Sequence, residues 1–286
     1  MDYPNRSYVF VNDDMVPMEK ASLHVSDLSI QRGYGVFDFF KIRDGHAFFL
    51  DDYLDRFYRS AEIMHLKVPF PLANLKAIVY RLIKKNNLPE SGIKMILTGG
   101  YSADGYHPAS PNLVLTQHSL SLPGREQLEH GIKIITHAYA RDFPQAKTIN
   151  YTMGIWLSNK IKESQAADVL YQQQGIVSEF PRCNIFIVTD DNKVITPADN
   201  VLHGVTRKNI MKLAGKKYPT EEGTVTMDQL LRAREVFLTS TTKRIVPVVQ
   251  VDGALIGTGK PGPVSLSLLD DLVSLEAEDS RINAFP

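Results

Sequence analysis

The first half of the chain alternates short apolar runs with amphipathic stretches. Apolar residues flank the dipeptide Asp44-Gly45, which is typical of a two-residue turn and predicts a β-hairpin over residues 36–50. Asp51 follows the hairpin, and we expect it to cap a helix. The apolar stripe of that helix consists of Leu54, Phe57, Tyr58, Ala61 and Met64. Further elements predicted in this half are strands at 8–11, 93–97 and 113–116 and a helix at 72–85.

The second half mixes strands and helices without a regular βαβ alternation. Its predicted elements are strands at 132–135, 169–171, 185–188, 193–195, 236–238 and 246–251, a helix at 153–166 and a short helix after Gly204. This mixture favours an α+β fold. The uncharged stretch 119–124 ends in Pro-Gly and is predicted to be an interdomain linker. It would separate a small N-terminal domain, 1–118, from a larger C-terminal domain, 125–286.

Composition and charge narrow the class of protein. The chain has 286 residues, of which 43% are hydrophobic, and this is enough to bury a core. The 32 basic and 32 acidic residues cancel, which argues against nucleic-acid binding through a large basic excess. No apolar run reaches the roughly 18 residues of a membrane helix, so no membrane association is expected. The single cysteine and the absence of an apolar leader in residues 1–6 favour a reducing, cytoplasmic location.

Three features that resemble known sites are better explained as structural. The glycine-rich stretch 257–262 does not match the phosphate-loop spacing, because Pro261 stands where Ser or Thr is needed, and it is predicted to be a turn. The eight histidines have no metal-ligand spacing, so no metal site is expected. Cys183 is expected to be a buried structural residue rather than a nucleophile.

Four segments could bind or activate a small anionic cofactor, although each also has a plainer interpretation. Gly204 precedes a helix whose first N–H groups could face an anion, but it could simply start a helix. The hydroxyl run 239–242 could bind phosphate or form a Ser/Thr turn. Arg56 could bind phosphate or form a surface salt bridge. Lys147 could form a Schiff base if desolvated, or it could be a solvated lysine.

Read in order, these segments resemble the class IV (fold-type IV) pyridoxal-phosphate aminotransferases. Residues 33–38, Gly-Tyr-Gly-Val-Phe-Asp, resemble the family's GDGVFE motif, with Tyr34 and Asp38 as departures from it. Residues 53–57 resemble the segment that supplies the phosphate-binding arginine, and 147–150 the segment around the Schiff-base lysine. Residues 175–186 resemble the VxE…NxF signature, and 204–207 match GITR except for Val205. The resemblance extends from about residue 8 to 253.

The resemblance implies two unequal domains, the larger with a barrel-like β core carrying the Schiff-base lysine, and a homodimer. It implies pyridoxal 5'-phosphate as cofactor, with Lys147 as the catalytic residue that binds it and later moves a proton. Glu179 would keep the pyridine nitrogen protonated, so that the ring acts as an electron sink. Tyr151 would contact the phenolic oxygen of the cofactor. The implied phosphate-binding residues are Arg56, Val205, Thr206 and Thr241, and Ser240 is implied as a further contact to the phosphate or to the substrate.

The segment expected to bind the substrate carboxylate departs from the pattern of known D-amino-acid transaminases. Those enzymes carry an Arg-x-His pair, whereas residues 97–107 here contain no arginine. Arg32 and Arg182 stand where the family usually has other residues. A guanidinium binds a carboxylate through two parallel hydrogen bonds, so these arginines are candidates for a replacement carboxylate site. The alternative is that both are ordinary surface arginines.

The resemblance implies a transaminase that exchanges the amino group between a small amino acid and a 2-oxo acid, with D-amino acids slightly favoured. One alternative is a branched-chain L-amino acid aminotransferase. Another is an enzyme similar to aminodeoxychorismate lyase, which would release pyruvate. A third is a catalytically silent binding protein, which the presence of Lys147 and Glu179 disfavours. The expected partners are small amino acids, 2-oxo acids and a second copy of the chain.

Overall fold

The computed structural model describes residues 7–120, 122 and 124–282. They form two compact units. The N-terminal unit contains the described residues up to 120 together with 146–150 and 278–282. The C-terminal unit contains the described residues of 122–145 and 151–277. Helices and strands are mixed in the chain, which confirms the α+β class.

The N-terminal unit is built on a six-stranded sheet in the order β2-β1-β6-β5-β3-β4, with every neighbouring pair antiparallel. Its strands are β1 (Tyr8–Val11), β2 (Asp14–Pro17), β3 (Gly35–Arg43), β4 (His46–Ala47), β5 (Glu90–Thr98) and β6 (Leu113–Ser119). Its helices are α1 (Leu28–Arg32), α2 (Leu50–Ile63) and α3 (Leu72–Asn86). The strands at 8–11, 93–97 and 113–116 and the helix at 72–85 are thereby confirmed.

One face of this sheet packs against α2 and α3. Alternate residues along β3 and β5 point to that face and are buried, for example Phe40 and Ile93. Helix α2 contributes Leu54, Phe57 and Ala61 to the core, as its apolar stripe predicts. Because residues three and four apart share a helix face, this spacing aligns a single side of α2 with the sheet.

The predicted hairpin is present, but the helix after it begins differently from the prediction. Asp44 and Gly45 both have positive φ, 49° and 80°, and link β3 to β4 in a two-residue turn. Helix α2 then begins at Leu50, with Phe49 as its N-cap, so the expected Asp51 cap is wrong. The Phe49 N–H instead donates to Asp279 Oδ2 at 3.0 Å. Asp51 lies in the first turn, where a carboxylate interacts favourably with the helix dipole.

A fully buried carboxylate, Asp27, ties α1 to the ends of β5 and β6. Its Oδ1 accepts hydrogen bonds from the Ser29 N–H at 2.8 Å and the Ser29 hydroxyl at 2.6 Å. Its Oδ2 accepts from the Thr98 hydroxyl and the Asn112 amide, both at 2.7 Å. A buried charge without hydrogen bonds would be costly, and here four donors offset the lost hydration.

The C-terminal unit is built on a nine-stranded sheet in the order β12-β11-β10-β13-β14-β7-β8-β9, with β15 also paired to β14. Its strands are β7 (Ile132–Ala138), β8 (Asp168–Gln173), β9 (Ile176–Val177), β10 (Asn184–Val188), β11 (Val194–Pro197), β12 (Thr220–Gly223), β13 (Glu235–Ser240), β14 (Arg244–Val251) and β15 (Ala254–Leu255). Its helices are α4 (Arg125–His130), α5 (Thr152–Trp156), α6 (Ser158–Glu163), α7 (Val205–Ala214), α8 (Met227–Leu231) and α9 (Pro263–Ile282), the last of which ends in the N-terminal unit.

The nine-stranded sheet curls until its two ends meet. The Val177 N–H of β9 donates to the Val225 carbonyl, 2.8 Å away and just beyond β12. The Met227 N–H donates to the Gly175 carbonyl, also at 2.8 Å. The resulting β core is barrel-like, as the sequence resemblance implies.

Both faces of β10 and β13 are covered. Ile185 and Ile187 lie in one apolar cluster with Val236 and Leu238, whereas Phe186 and Phe237 lie in another that includes α7 and α9. The two phenylalanine rings stack with centroids 5.0 Å apart. Because both faces are buried, these strands are continuous apolar runs, which is why their positions can be predicted from sequence.

The helix predicted at 153–166 is instead two short helices, α5 and α6, separated at Leu157. Leu157 has ψ −7°, which departs from regular helical geometry, and its side chain is buried beside Val169 and Tyr171. The neighbouring Ile155 and Trp156 are exposed. A periodic apolar pattern therefore overestimates the continuity of this segment.

The structure differs from the sequence prediction in two further respects, which are the last helix and the unit to which residues 146–150 belong. The 20-residue helix α9 was not predicted. Its first N–H groups, at Val264 and Ser265, donate to the Glu235 carboxylate of β13, so its N-terminus depends on a contact distant in sequence. Residues 146–150 pack with the N-terminal unit, although Lys147 was expected in the C-terminal domain. The reason is that residues 147–149 pair with β3.

The predicted domain boundaries otherwise remain a prediction. Of the expected linker, 119–124, Ser121 and Pro123 lie outside the described residues. Within the described part of the chain, no helix is both long and apolar enough to cross a membrane.

We expect Asp27→Asn to lower the free energy of unfolding by about 3 kcal/mol, because an amide cannot accept all four hydrogen bonds and its own N–H groups would face donors. Urea unfolding followed by circular dichroism measures the loss. Asp14→Asn is the control, since Asp14 is exposed on β2. Equal stability of the two variants would contradict this account of the Asp27 network.

Candidate active site

Lys147 is clamped by its backbone between β3 and α2. Its carbonyl accepts a hydrogen bond from the Phe37 N–H at 2.9 Å, and the Ile149 N–H donates to the Gly35 carbonyl at 3.0 Å. Its own N–H donates to the Ser60 hydroxyl of α2 at 3.1 Å. A Cβ at Gly35 would lie 2.7 Å from the Leu97 carbonyl oxygen and 3.1 Å from Ile149 Cδ1. Glycine is therefore required for this close approach.

The lysine side chain lies over an aromatic ring. Lys147 Nζ is 4.6 Å from the centroid of Phe37, within the range of a cation–π contact. A second ammonium, Lys94 Nζ of β5, is 5.7 Å from the same centroid. Burial lowers the pKa of Lys94 from its ordinary value. Two lysines therefore contact the Phe37 ring, and the one with the clamped backbone is the residue identified from sequence.

Arg56 forms a buried ion pair that the sequence analysis did not predict. Its Nε donates to Asp38 Oδ2 at 2.9 Å and its Nη2 to Asp38 Oδ1 at 2.6 Å. The two side chains are 9% and 0% exposed, so the surface salt bridge considered from sequence is excluded. Arg56 and Ser60 are one helical turn apart on α2, and Asp38 follows Phe37 on β3. The N-terminal unit thus brings Arg56 close to the elements that hold Lys147.

Glu179 is buried in the C-terminal unit and held by donors on both oxygens. Arg141 approaches Oε1 at 2.7 Å through both Nε and Nη2. The Leu202 N–H donates to Oε2 at 3.0 Å. The Glu179 carbonyl also accepts from the Tyr171 N–H at 2.9 Å. The carboxylate of Glu179 is therefore fixed in orientation as well as position.

The start of α7 lies close to Glu179, because the Leu202 N–H that contacts this carboxylate is only two residues before Gly204. Gly204 is its N-cap and supplies no side-chain cap, while Val205 and Thr206 are its first two residues. The Asn184 amide donates to the Leu202 carbonyl at 2.7 Å, and a Cβ at Gly204 would lie 2.2 Å from Asn184 Oδ1. The helix therefore begins on a tightly packed glycine, and its first N–H groups have no acceptor within the helix.

The hydroxyl run lies at the end of a neighbouring strand. Thr239 pairs in register with Asn184 in the β10–β13 ladder, and Ser240 follows as the last residue of β13. The Ser240 hydroxyl accepts from the Lys243 N–H at 3.1 Å, which closes the turn that contains Thr241. The C-terminal unit thus places Ser240 and Thr241 after the strand that pairs with Asn184.

Tyr151 and the two carboxylate candidates lie on other elements of the fold. Tyr151 is the partly exposed N-cap of α5. Arg32 ends α1 and is exposed, and its Nη1 donates to the Gln31 carbonyl at 3.0 Å. Arg182 is also exposed, and it belongs to the other unit. Among the described residues, neither arginine has a carboxylate partner. Their suggested joint role stays a prediction.

Three residues in these clusters were missed from sequence: Ser60, Asp38 and Arg141. The only sequence signals were that Asp38 occupies the acidic position of the GDGVFE motif and that Ser60 is four residues after Arg56. Arg141 gives no local signal. Cys183 is buried, as expected, and burial raises the pKa of its thiol to about 11. In the described chain, no cluster of three or more His, Cys, Asp or Glu residues could hold a metal ion.

The donors present fit a phosphorylated pyridine aldehyde. Its phosphate needs a guanidinium or uncapped helix N–H groups, and these donor types are present at Arg56 in the N-terminal unit and at the start of α7 in the C-terminal unit. Its ring nitrogen needs a carboxylate and its aldehyde needs an amine, and Glu179 and Lys147 are the residues that would supply them. The close packing at Gly204 supports the fit, because only a glycine can stand next to Asn184 at the start of the helix whose first N–H groups would bind the phosphate.

The comparisons with known proteins agree with this chemistry. The family described as Amino-transferase class IV matches residues 35–251. A D-alanine aminotransferase of Listeria monocytogenes serotype 4b (strain F2365) is 30% identical over 268 residues, which cover 91% of this chain and 93% of that protein. A D-alanine aminotransferase of Bacillus licheniformis is 28% identical over 265 residues, covering 90% and 93%.

Solved structures share the whole fold. The branched-chain amino acid aminotransferase of Escherichia coli superposes with a TM-score of 0.89 at 26% identity, covering 96% of each chain. A hypothetical aminotransferase from Mycobacterium tuberculosis, in a PLP-bound form, has a TM-score of 0.80 at 21% identity, covers 96% of this chain and 100% of that one, and shows the fold alone. The family match, the relatives and the chemistry of the donors lead to one conclusion: this chain belongs to the class IV aminotransferases and is a pyridoxal-phosphate-dependent enzyme.

Proposed function

We propose that this aminotransferase exchanges the amino group between a small amino acid, with the D-enantiomer favoured, and a 2-oxo acid. The observation that carries the preference is the identity of 28–30%, over nine tenths of the chain, with D-alanine aminotransferases. A branched-chain L-amino acid aminotransferase is the second candidate, supported by the TM-score of 0.89 to the Escherichia coli enzyme.

The chain's own residues have distinct roles in this proposal. Pyridoxal phosphate, when bound, supplies an electron sink for the substrate carbanion. Lys147 would hold the cofactor through Nζ and would then carry a proton to and from the substrate Cα. Its clamped backbone limits the positions that Nζ can reach. Glu179 would keep the pyridine nitrogen protonated, and Tyr151 would contact the phenolic oxygen.

Both charged and neutral hydrogen-bond donors would bind the phosphate of the cofactor. Arg56 supplies a guanidinium that Asp38 orients through two hydrogen bonds. The N–H groups of Val205 and Thr206 add the partial positive charge of a helix start. Thr241 and Ser240 supply hydroxyl donors. These contacts would keep the cofactor in place while the substrates exchange.

Arg32 and Arg182 are proposed to bind the substrate carboxylate. Both are exposed, and no carboxylate of the described residues neutralises either, so each guanidinium is available to an anion. The proposal replaces the Arg-x-His pair that residues 97–107 lack. We also propose a cytoplasmic homodimer, on the basis of the family resemblance and the single, buried cysteine.

The proposed reaction can be tested by single half-reactions. Adding one amino acid at a time to the cofactor-loaded protein should bleach the visible absorption of the cofactor, fastest with D-alanine and similar small D-amino acids. The 2-oxo acid released is identified by mass spectrometry. A faster response to L-leucine or L-valine would favour the branched-chain alternative. Pyruvate release from a chorismate-derived amine alone would indicate the lyase.

The carboxylate proposal predicts that Arg32→Ala and Arg182→Ala each raise KM for the amino acid and for the 2-oxo acid about tenfold or more, because a charged hydrogen bond is lost. Steady-state kinetics measures the change. Arg43→Ala is the matched control, since Arg43 pairs with Glu90 at the edge of β3. Unchanged KM values in both Arg32 and Arg182 variants would refute the proposal and leave these as surface arginines.

A further inference from the structure

Arg141 makes two close contacts to Glu179, the carboxylate proposed to face the pyridine nitrogen. Its Nε and Nη2 both approach Glu179 Oε1 at 2.7 Å. The arginine side chain is 12% exposed and the glutamate side chain 5%. An ion pair this buried loses much of its hydration, so it is not explained by stability alone.

Arg141 also organises the loop that precedes the lysine. Its Nη2 donates to the Pro144 carbonyl at 2.6 Å, three residues before Lys147. One guanidinium therefore contacts both the carboxylate assigned to the pyridine nitrogen and the chain that leads to the catalytic lysine. Removing the guanidinium would leave both Glu179 Oε1 and the Pro144 carbonyl without these hydrogen bonds.

Arg141 is a cation that faces this carboxylate at hydrogen-bonding distance. Tyr171, whose backbone N–H bonds to Glu179, has a phenol pKa raised by burial and by the nearby Tyr139 and Asp168. Its hydroxyl therefore stays neutral near neutral pH. The Leu202 N–H, which donates to the other oxygen of the Glu179 carboxylate, is neutral. An adjacent guanidinium favours the ionised form of a carboxylate.

We propose that Arg141 is a positioning residue, which holds Glu179 ionised and oriented so that the pyridine nitrogen of the cofactor stays protonated. The proposal rests on the role assigned to Glu179 above. It extends that role by identifying the group that fixes this carboxylate. Outer contacts of this kind commonly set how well an inner residue performs.

The test uses the protein loaded with pyridoxal phosphate labelled with ¹⁵N in the ring, without any amino acid. In the wild type, the ¹⁵N chemical shift should be that of a protonated pyridine. We expect Arg141→Met to move it toward the unprotonated value and to weaken cofactor binding about tenfold, because a charge-assisted contact is lost. Arg141→Lys keeps the charge but not the forked geometry, so its shift should lie between the two.

Two controls make the outcome decisive. Arg43→Met removes an arginine–glutamate contact of 2.7 Å in the other unit and should leave the nitrogen shift unchanged. Glu179→Gln should reproduce or exceed the change in Arg141→Met. If Glu179→Gln moves the shift and Arg141→Met does not, the proposal for Arg141 is overturned while the role of Glu179 stands.

An unprotonated nitrogen in the wild type would overturn both assignments. Because the measurement is made on the resting protein, it does not depend on which amino acid is the substrate. A failure of the proposed substrate preference would therefore be seen only in the half-reactions. If Arg141→Met does not fold, an unchanged shift in Arg141→Lys would also overturn the proposal, since that variant already removes the fork.

Discussion

The hydrogen bonds between residues 147–149 and β3 are the constraint on which the candidate site depends. One backbone hydrogen bond joins Phe37 to Lys147, and another joins Ile149 to Gly35. These bonds turn a short loop into an extra strand-like segment of the N-terminal unit. Because β3 is held by β5 and by α2, the position of Lys147 is fixed by the core and not by its own loop. Gly35 is essential to this, since a side chain there would meet the β5 backbone.

The net charge of the chain is zero, and the charged side chains of the candidate site are arranged in buried pairs of opposite charge. Arg56 pairs with Asp38 in one unit and Arg141 with Glu179 in the other. Buried pairs of this kind contribute little net stability, because desolvation offsets their attraction. Their value is orientation: each arginine or carboxylate that we assign to the cofactor already has a partner that sets its direction. The ligands are small anions, so only their immediate surroundings need to be positive.

The parts of the fold that follow from local patterning could be predicted from the sequence. The hairpin around Asp44-Gly45 and the apolar stripe of α2 depend on neighbours a few residues away. The interruption at Leu157 and the N-terminus of α9 depend on packing and on Glu235, which local periodicity does not contain.

The same distinction between local and long-range contacts explains which residues of the candidate site could be predicted. Lys147, Glu179 and Arg56 could be identified because short motifs surround them. Their partners could not, since Ser60 lies 87 residues from Lys147, and Arg141 lies 38 residues from Glu179. Asp38 is only 18 residues from Arg56, but the pairing requires β3 and α2 to be packed together. Contacts formed by tertiary structure leave no spacing in the sequence by which to find them.

The central claim is that the clamped lysine, Lys147, is the residue that binds the cofactor. Reduction of the cofactor-loaded protein with borohydride, followed by peptide mass spectrometry, tests it directly. We expect a phosphopyridoxyl group on Lys147 alone, because its backbone is fixed beside β3. The same group on Lys94, the other lysine over the Phe37 ring, with Lys147 unmodified, would contradict it.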